Sequence, residues 1–163
     1  MPVSQEQDDV LSLSFLNNLE YLHSYCRVPL KLTDGWFQLP ENFLCNQEPT
    51  PRFLFGIYNT KIAIGDLNLD GKDDAAVVLT TNYGGTGNFR ELAIVANQDG
   101  VLKHVASVEL GDRVVVNNIF IQNSRVILDM VTHWPEDGAC CPTQNVHKTF
   151  QYDALQKEIS EVQ

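Results

Sequence analysis

The stretch FRELAIVANQDGVLKHVASVEL, residues 89–110, sets two runs of strand-forming residues on either side of Asp99-Gly100. Asp-Gly supplies the positive φ that tight hairpin turns need. The same signature continues in both directions. Upstream lie KIAIGDL and DAAVVLTTN; downstream lie DRVVVNNIFIQ, RVILDMVTHW and HKTFQYD. Gly, Asn and Asp punctuate the junctions at intervals of roughly ten residues, the rhythm of antiparallel strands, and no βαβ alternation interrupts them. The fold class that follows is mainly β, with α+β as its neighbour: an antiparallel meander or sandwich of about seven to nine strands with a short N-terminal helix. Val115, Ile119, Ile121, Val126, Leu128 and Met130 fit inward-facing positions, a register that one bulge would shift.

The flanking segments are less regular. In DDVLSLSFLNNLEYLHSY, residues 8–25, Leu11, Phe15, Leu19 and Leu22 recur at spacings of three and four behind an Asp pair suited to a helix N-terminus, so the spacing predicts a helix. Alternation through Val10 to Leu16 offers a strand as the rival reading. VPLKLTDGWFQLP alternates about Asp34-Gly35 and predicts a hairpin. Residues 41–60, with Pro49 and Pro51 and no sustained pattern, read as an irregular surface excursion. ALQKEISEVQ at the end reads as a short helix or a frayed tail. At 163 residues the whole, 1–163, is expected to form one β-rich domain, with 1–25 as an N-terminal helix or extension and 62–152 as the core sheet.

Charge narrows the function classes. Twenty-one acidic residues against 11 basic ones give a net charge of −10, with no Lys/Arg cluster to bind nucleic acid or anionic lipid by counterion release. Cations are the favoured partners. No apolar run approaches the roughly 20 residues of a membrane span. The start MPVSQEQDD lacks the charged and apolar regions of a leader, which leaves a cytoplasmic protein or one whose leader has been removed.

The most informative motif is IAIGDLNLDGKDDAAVVL, Ile62 to Leu79. Counting from Asp66, oxygen-bearing side chains fall at positions 1 (Asp66), 3 (Asn68), 5 (Asp70) and 9 (Asp74). Gly71 stands at position 6, where a sharp turn is needed, and Lys72 at position 7 would offer only its carbonyl. Crowded carboxylates repel unless a cation neutralises them. An irregular all-oxygen set suits calcium better than zinc or magnesium. Position 12, where an EF-hand places a bidentate glutamate, is Val77, so a strand follows where an EF-hand has a helix. Affinity at the weak end, about 10⁻⁴ to 10⁻³ M, is expected unless Asp73, Glu91 or Asp112 completes the shell. The competing reading is an acidic turn whose side chains cap backbone amides. The DxNxDG pattern occurs once, which removes support for propellers and solenoids.

In its strand-flanked setting the loop resembles those of FG-GAP/integrin-type repeats. GDLNLDGKDDAAVVLTTNYGGTGNFRELAIV, followed by LGDRVVVNNIFIQ and HWPEDGACCPTQ, looks like a group of small bacterial secreted or lipoprotein domains bearing a GDLNxDGxxDAAV loop and a CCPT-like segment. The resemblance covers residues 62–152 and, more loosely, the TDGWF region. It implies an extracytoplasmic, periplasmic or secreted, non-catalytic β-rich domain.

Other chemistry is weaker. Gly84-Gly85-Thr86-Gly87 lacks the Lys-Ser/Thr of a phosphate loop and leads into a strand. A zinc site from Cys140, Cys141, His133 and His147 lacks the usual cysteine spacing. The four cysteines, Cys26, Cys45, Cys140 and Cys141, permit two disulfides. Cross-links from Cys26 and Cys45 to the Cys140-Cys141 loop are preferred because they avoid the short span of a vicinal bond, ahead of that bond, a local Cys26–Cys45 pair or free thiols. The histidines, His23, His104, His133 and His147, are scattered, and no nucleophile motif is present. The expected function is therefore a calcium-binding, non-catalytic domain with a structural or binding role toward a protein or carbohydrate partner. A hydrolase with a structural calcium and a self-associating, calcium-stabilised assembly subunit are the alternatives. Trp36, Trp134 and the tyrosines could form the binding surface or pack in the core.

Overall fold

The computed structural model describes residues 11–163, in which one short helix precedes thirteen strands. The N-terminal elements are α1 (Leu13–Asn17), β1 (Glu20–Leu22), β2 (Pro29–Thr33), β3 (Trp36–Phe37), β4 (Leu44–Cys45) and β5 (Glu48–Pro49). The long strands follow: β6 (Leu54–Gly65), β7 (Asp74–Asn82), β8 (Phe89–Gln98), β9 (Val101–Asp112), β10 (Val115–Gln122), β11 (Arg125–Thr132), β12 (Gln144–Asp153) and β13 (Glu158–Val162).

All pairings are antiparallel, as the punctuation of the sequence requires. The Asp34-Gly35, Asp99-Gly100 and Asn123-Ser124 turns hold both residues at positive φ, the geometry whose twist matches that of paired strands. Seven strands pair in the order β1-β2-β3-β6-β7-β8-β9, and β10 to β13 pair in chain order. The larger sheet curls until β1 meets β9, where the Leu22 amide donates to His104 Nδ1 at 3.0 Å. It nearly closes into a barrel instead of lying flat as a sandwich leaf. The smaller sheet covers the outside of β6 to β9, with β10 beside β6 and β13 beside β9.

Two cores result, and β6 to β9 form the wall between them. Inside the curl lie Leu16, Tyr21, Leu32, Phe55, Val77, Leu79, Ala93 and Val95. Outside it, against the smaller sheet, lie Ala76, Val78, Leu92, Ile94, Val116, Leu128, Met130 and Phe150. Alternate residues of β7 feed opposite cores, and Asp74 to Thr81 are all buried. That double burial explains the continuous apolar run DAAVVL, where a half-exposed strand would alternate. Gly65 permits close approach of the two sheets, since a Cβ there would lie 2.8 Å from Ile121 Cγ2.

Several expectations need correction. The predicted helix over 8–25 shrinks to Leu13–Asn17; its Asp8–Val10 start lies outside the described residues. Ser12 caps it by accepting the Phe15 amide, and Asn18 ends it by turning its side-chain carbonyl to the Asp34 amide. The chain then enters β1, burying Leu16, Tyr21 and His23 and leaving Phe15 and Leu22 exposed. The helical spacing of Phe15 and Leu22 was thus not the core stripe. Residues 41–60 contain the β4–β5 hairpin and the first half of β6, so the core sheet starts before residue 62. The tail is strand β13, because pairing with β12 satisfies its backbone and Ile159 packs on the second core. Val116 is buried in place of Val115, owing to a bulge between Val116 and Asn118 in β10, and Ile121 is half-buried.

The preferred disulfide pattern is also overturned. The bonds are Cys26–Cys45 and the vicinal Cys140–Cys141. Cys26 and Cys45 belong to the first core. Cys140 and Cys141 sit in the β11–β12 connection of the smaller sheet, so the β6–β9 wall separates the two pairs. No described residue lies in a helix long and apolar enough to cross a membrane.

Candidate functional site

The acidic loop joins β6 to β7, closed by the Gly65–Asp74 pair. Leu67 anchors it in the second core. Its polar side chains curl round the backbone: Asp66 Oδ1 and Asn68 Oδ1 both accept the Asp70 amide, at 3.3 and 3.2 Å, while Asp66 Oδ2 accepts the Gly71 amide at 2.8 Å. Asp70 Oδ1 accepts the Lys72 amide at 2.8 Å. Leu69 and Gly71 take positive φ to make the curl. Asp74 is fully buried, and each of its oxygens accepts one amide at 3.0 Å, from Leu67 and from Asn97. Burial raises its pKa, the two amides oppose that, and the negative charges of Asp70 and Asp66 add to it. The Lys72 side chain points outward and pairs with Asp99.

The three side chains proposed to complete a shell stand differently. Asp73 is exposed in the loop. Asp112 accepts the Asn88 amide at 2.8 Å and pairs with Arg113 at 3.0 Å. Glu91 pairs in register with Leu79, five residues along β7 from Asp74, roughly 17 Å away. Among the described residues, no group of three or more His, Cys, Asp or Glu could hold a metal ion as it stands. The oxygens of the loop instead hold amides, the arrangement of an acidic capped turn. Each oxygen accepting one amide retains acceptor capacity, because a carboxylate offers about four lone-pair sites. In that respect Asp66, Asn68 and Asp70 fit a hard cation, and Asp74 serves as the buried anchor behind them.

At the opposite end of the curled sheet is a cavity of about 640 Å³. Tyr25, Tyr83 and Phe89 line it, and Tyr83 packs against the other two at centroid distances of 5.5 and 5.7 Å. Glu48, Glu91 and Glu109 supply three carboxylates. Glu91 faces Glu109 directly across β8 and β9. It is only 8% exposed; Ser24 Oγ donates to Oε2 at 2.8 Å, while Oε1 is buried without a partner among the described residues. Burial raises its pKa, Ser24 opposes the shift, and the charge of Glu109 reinforces it.

Two histidines brace the curled sheet, His23 buried beside the cavity and His104 half-buried on β9. His23 Nδ1 accepts the Cys26 amide at 3.0 Å, so Nε2 carries the proton and donates to Thr81 Oγ1 at 3.1 Å. His104 Nδ1 accepts the Leu22 amide, so its Nε2 donates to Ala106 O and Ser107 Oγ, at 3.1 and 2.8 Å. Burial pushes both pKa values down to about 4. Neither ring can take a hydroxyl proton from its partner, because the nitrogen facing that hydroxyl is already protonated.

At the remaining cysteine-rich loop, His133 Nε2 donates to Ala139 O at 3.1 Å and His147 pairs with Asp129 at 2.7 Å. Both cysteines are spent in the vicinal disulfide. The zinc arrangement is therefore not formed.

Sequence reasoning missed the cavity and treated the histidines as scattered. One signal was available: Glu91 shares its strand parity with Ala93 and Val95, which places a carboxylate on a buried face. The cavity itself is assembled from five separate stretches of chain. No protein-family model matches the chain, and no curated protein matches it.

Proposed function

We propose that the protein is a calcium-stabilised, non-catalytic binding domain of extracytoplasmic origin. The supporting observation is the convergence of Asp66 Oδ1 and Asn68 Oδ1 on a single amide, that of Asp70, within a loop whose sequence spaces oxygen donors at positions 1, 3, 5 and 9. The ion would supply the positive charge that this cluster lacks. Asp66, Asn68, Asp70 and the Lys72 carbonyl would hold it, with Asp74 fixing the loop to β8. The resemblance to small secreted domains supports the compartment, and the aromatic cavity supports a binding role.

An ion bound only by the folded state adds RT ln(1 + [Ca]/Kd), about 1.4 kcal/mol at ten times Kd. A higher Tm in millimolar calcium, reversed by chelator and absent in Asp70→Ala, is the expected result. A wild-type Tm indifferent to calcium, together with no titration heat, would overturn the calcium reading.

The Glu91–Glu109 pair favours one second reading, a hydrolase with the same calcium. Release of nitrophenol from nitrophenyl glycosides or esters, lost in Glu91→Gln, would establish catalysis and displace the non-catalytic reading. A mass that grows with protein concentration in light scattering would point instead to the assembly subunit.

A further inference from the structure

Glu91 and Glu109 sit opposite each other on neighbouring strands, a placement that is unfavourable for like charges. A buried carboxylate oxygen without a hydrogen bond is costlier still, because its lost hydration is not replaced. Oε1 of Glu91 is in that condition. Arg90, the one basic side chain among the described residues that line the cavity, does not relieve it. Arg90 pairs in register with Thr80, while Glu91 pairs with Leu79, so the two side chains leave opposite faces of the sheet. Arg90 Nη1 donates to Thr80 Oγ1 at 2.6 Å, and its guanidinium lies 4.1 Å from the centre of the Tyr58 ring, in the second core; its Nε also has no partner among the described residues.

What remains is a small-molecule-sized cavity with acidic groups in its wall and at its mouth, and aromatic rings beside them. Such rings attract cations through their faces, and the volume falls within the range of small-ligand sites. We infer that this cavity is a binding site for a small organic ammonium ion, its nitrogen held by Glu91 and Glu109 and its apolar body against Tyr25 and Tyr83. The inference rests on the binding role proposed above, and it gives that role a ligand class. A neutral ligand would leave the opposed carboxylates uncompensated. An anion would meet three of them.

Calorimetric titration with 2-phenylethylamine, putrescine and choline tests it, with 2-phenylethanol as the uncharged analogue of the first. At least one ammonium ion is expected to bind, with the alcohol at least tenfold weaker. Glu91→Gln is expected to weaken the ammonium ion at least tenfold, and Glu109→Gln, an exposed and conservative change, several-fold. Failure of all three cations to bind, equal affinity for the alcohol, or unchanged affinity in both variants would overturn the inference. Each titration is run in calcium and in chelator alongside Tm. The calcium proposal is judged by the Tm shift and Asp70→Ala; the ammonium site is judged by the cation–alcohol ratio, so either can fail without the other.

Discussion

Asp74 and Glu91 are both carboxylates buried in the wall that separates the two cores, and burial pushes both pKa values up. They differ in what surrounds the charge. Asp74 has an amide for each oxygen; Glu91 has a hydroxyl for one oxygen and, among the described residues, no partner for the other. A satisfied buried carboxylate acts as a structural clasp, here tying the acidic loop to β8. A half-satisfied one stores an unfavourable interaction that a ligand can relieve. The difference turns two chemically similar residues into a brace and a recognition group.

The largest test of this contrast comes from pH. His23 and His104 have folded pKa values of about 4 against 6.5 when unfolded. The unfolded chain therefore binds more protons between those limits. Their contribution is complete above about pH 6.5 and is lost as pH falls toward 4, by up to about 1.4 kcal/mol per pH unit for each histidine. Asp74 and Glu91, with raised values, act in the opposite sense: their terms favour the folded state below the unfolded pKa and fade as pH rises through the folded one. Urea midpoints measured from pH 7 to 4.5 are expected to fall, less steeply in His104→Gln. An identical slope in His104→Gln and the wild type would mean that this ring is not held neutral.

Next in size is Asp74→Asn, which sets an amide N–H against a backbone N–H. A loss of about 2–3 kcal/mol is expected from denaturant unfolding. Glu91→Gln should do the reverse, gaining about 1 kcal/mol at pH 7 by removing an uncompensated charge. Equal losses in the two variants would erase the distinction between clasp and recognition group. The smallest effect belongs to the cysteines of the β11–β12 loop. The Cys26–Cys45 bond spans 19 residues and should contribute about 3 kcal/mol. The vicinal bond closes almost no chain, so Cys140→Ser with Cys141→Ser is expected to change stability by under about 0.5 kcal/mol.

The strands from Ile62 to Asp153 were legible because local signals and burial agreed: Asp-Gly turns fixed the hairpins, and the doubly buried wall forced the apolar run Ala75–Leu79. In the N-terminal layer only the Asp34-Gly35 hairpin was legible. Phe15 and Leu22 mimic a helical stripe, while the buried set of Leu16, Tyr21 and His23 is chosen by packing against β6 to β9. The acidic loop was visible as a motif, because spacing alone brings Asp66, Asn68 and Asp70 together. The cavity was hidden, since Ser24, Glu48, Glu91 and Glu109 meet only once the sheet has curled. Disulfide partners were illegible for a related reason: which cysteines meet depends on which side of the wall each falls.

The wall has one further consequence. Because β7 and β8 are covered on both faces and paired along both edges, their amide hydrogens can reach solvent only when both cores open together. The protons of Val77 to Leu79 and Leu92 to Val95 are expected to exchange last, at a rate reporting global opening. The loop at one end and the cavity at the other, roughly 20 Å apart along β7, would then be joined by the least yielding part of the molecule.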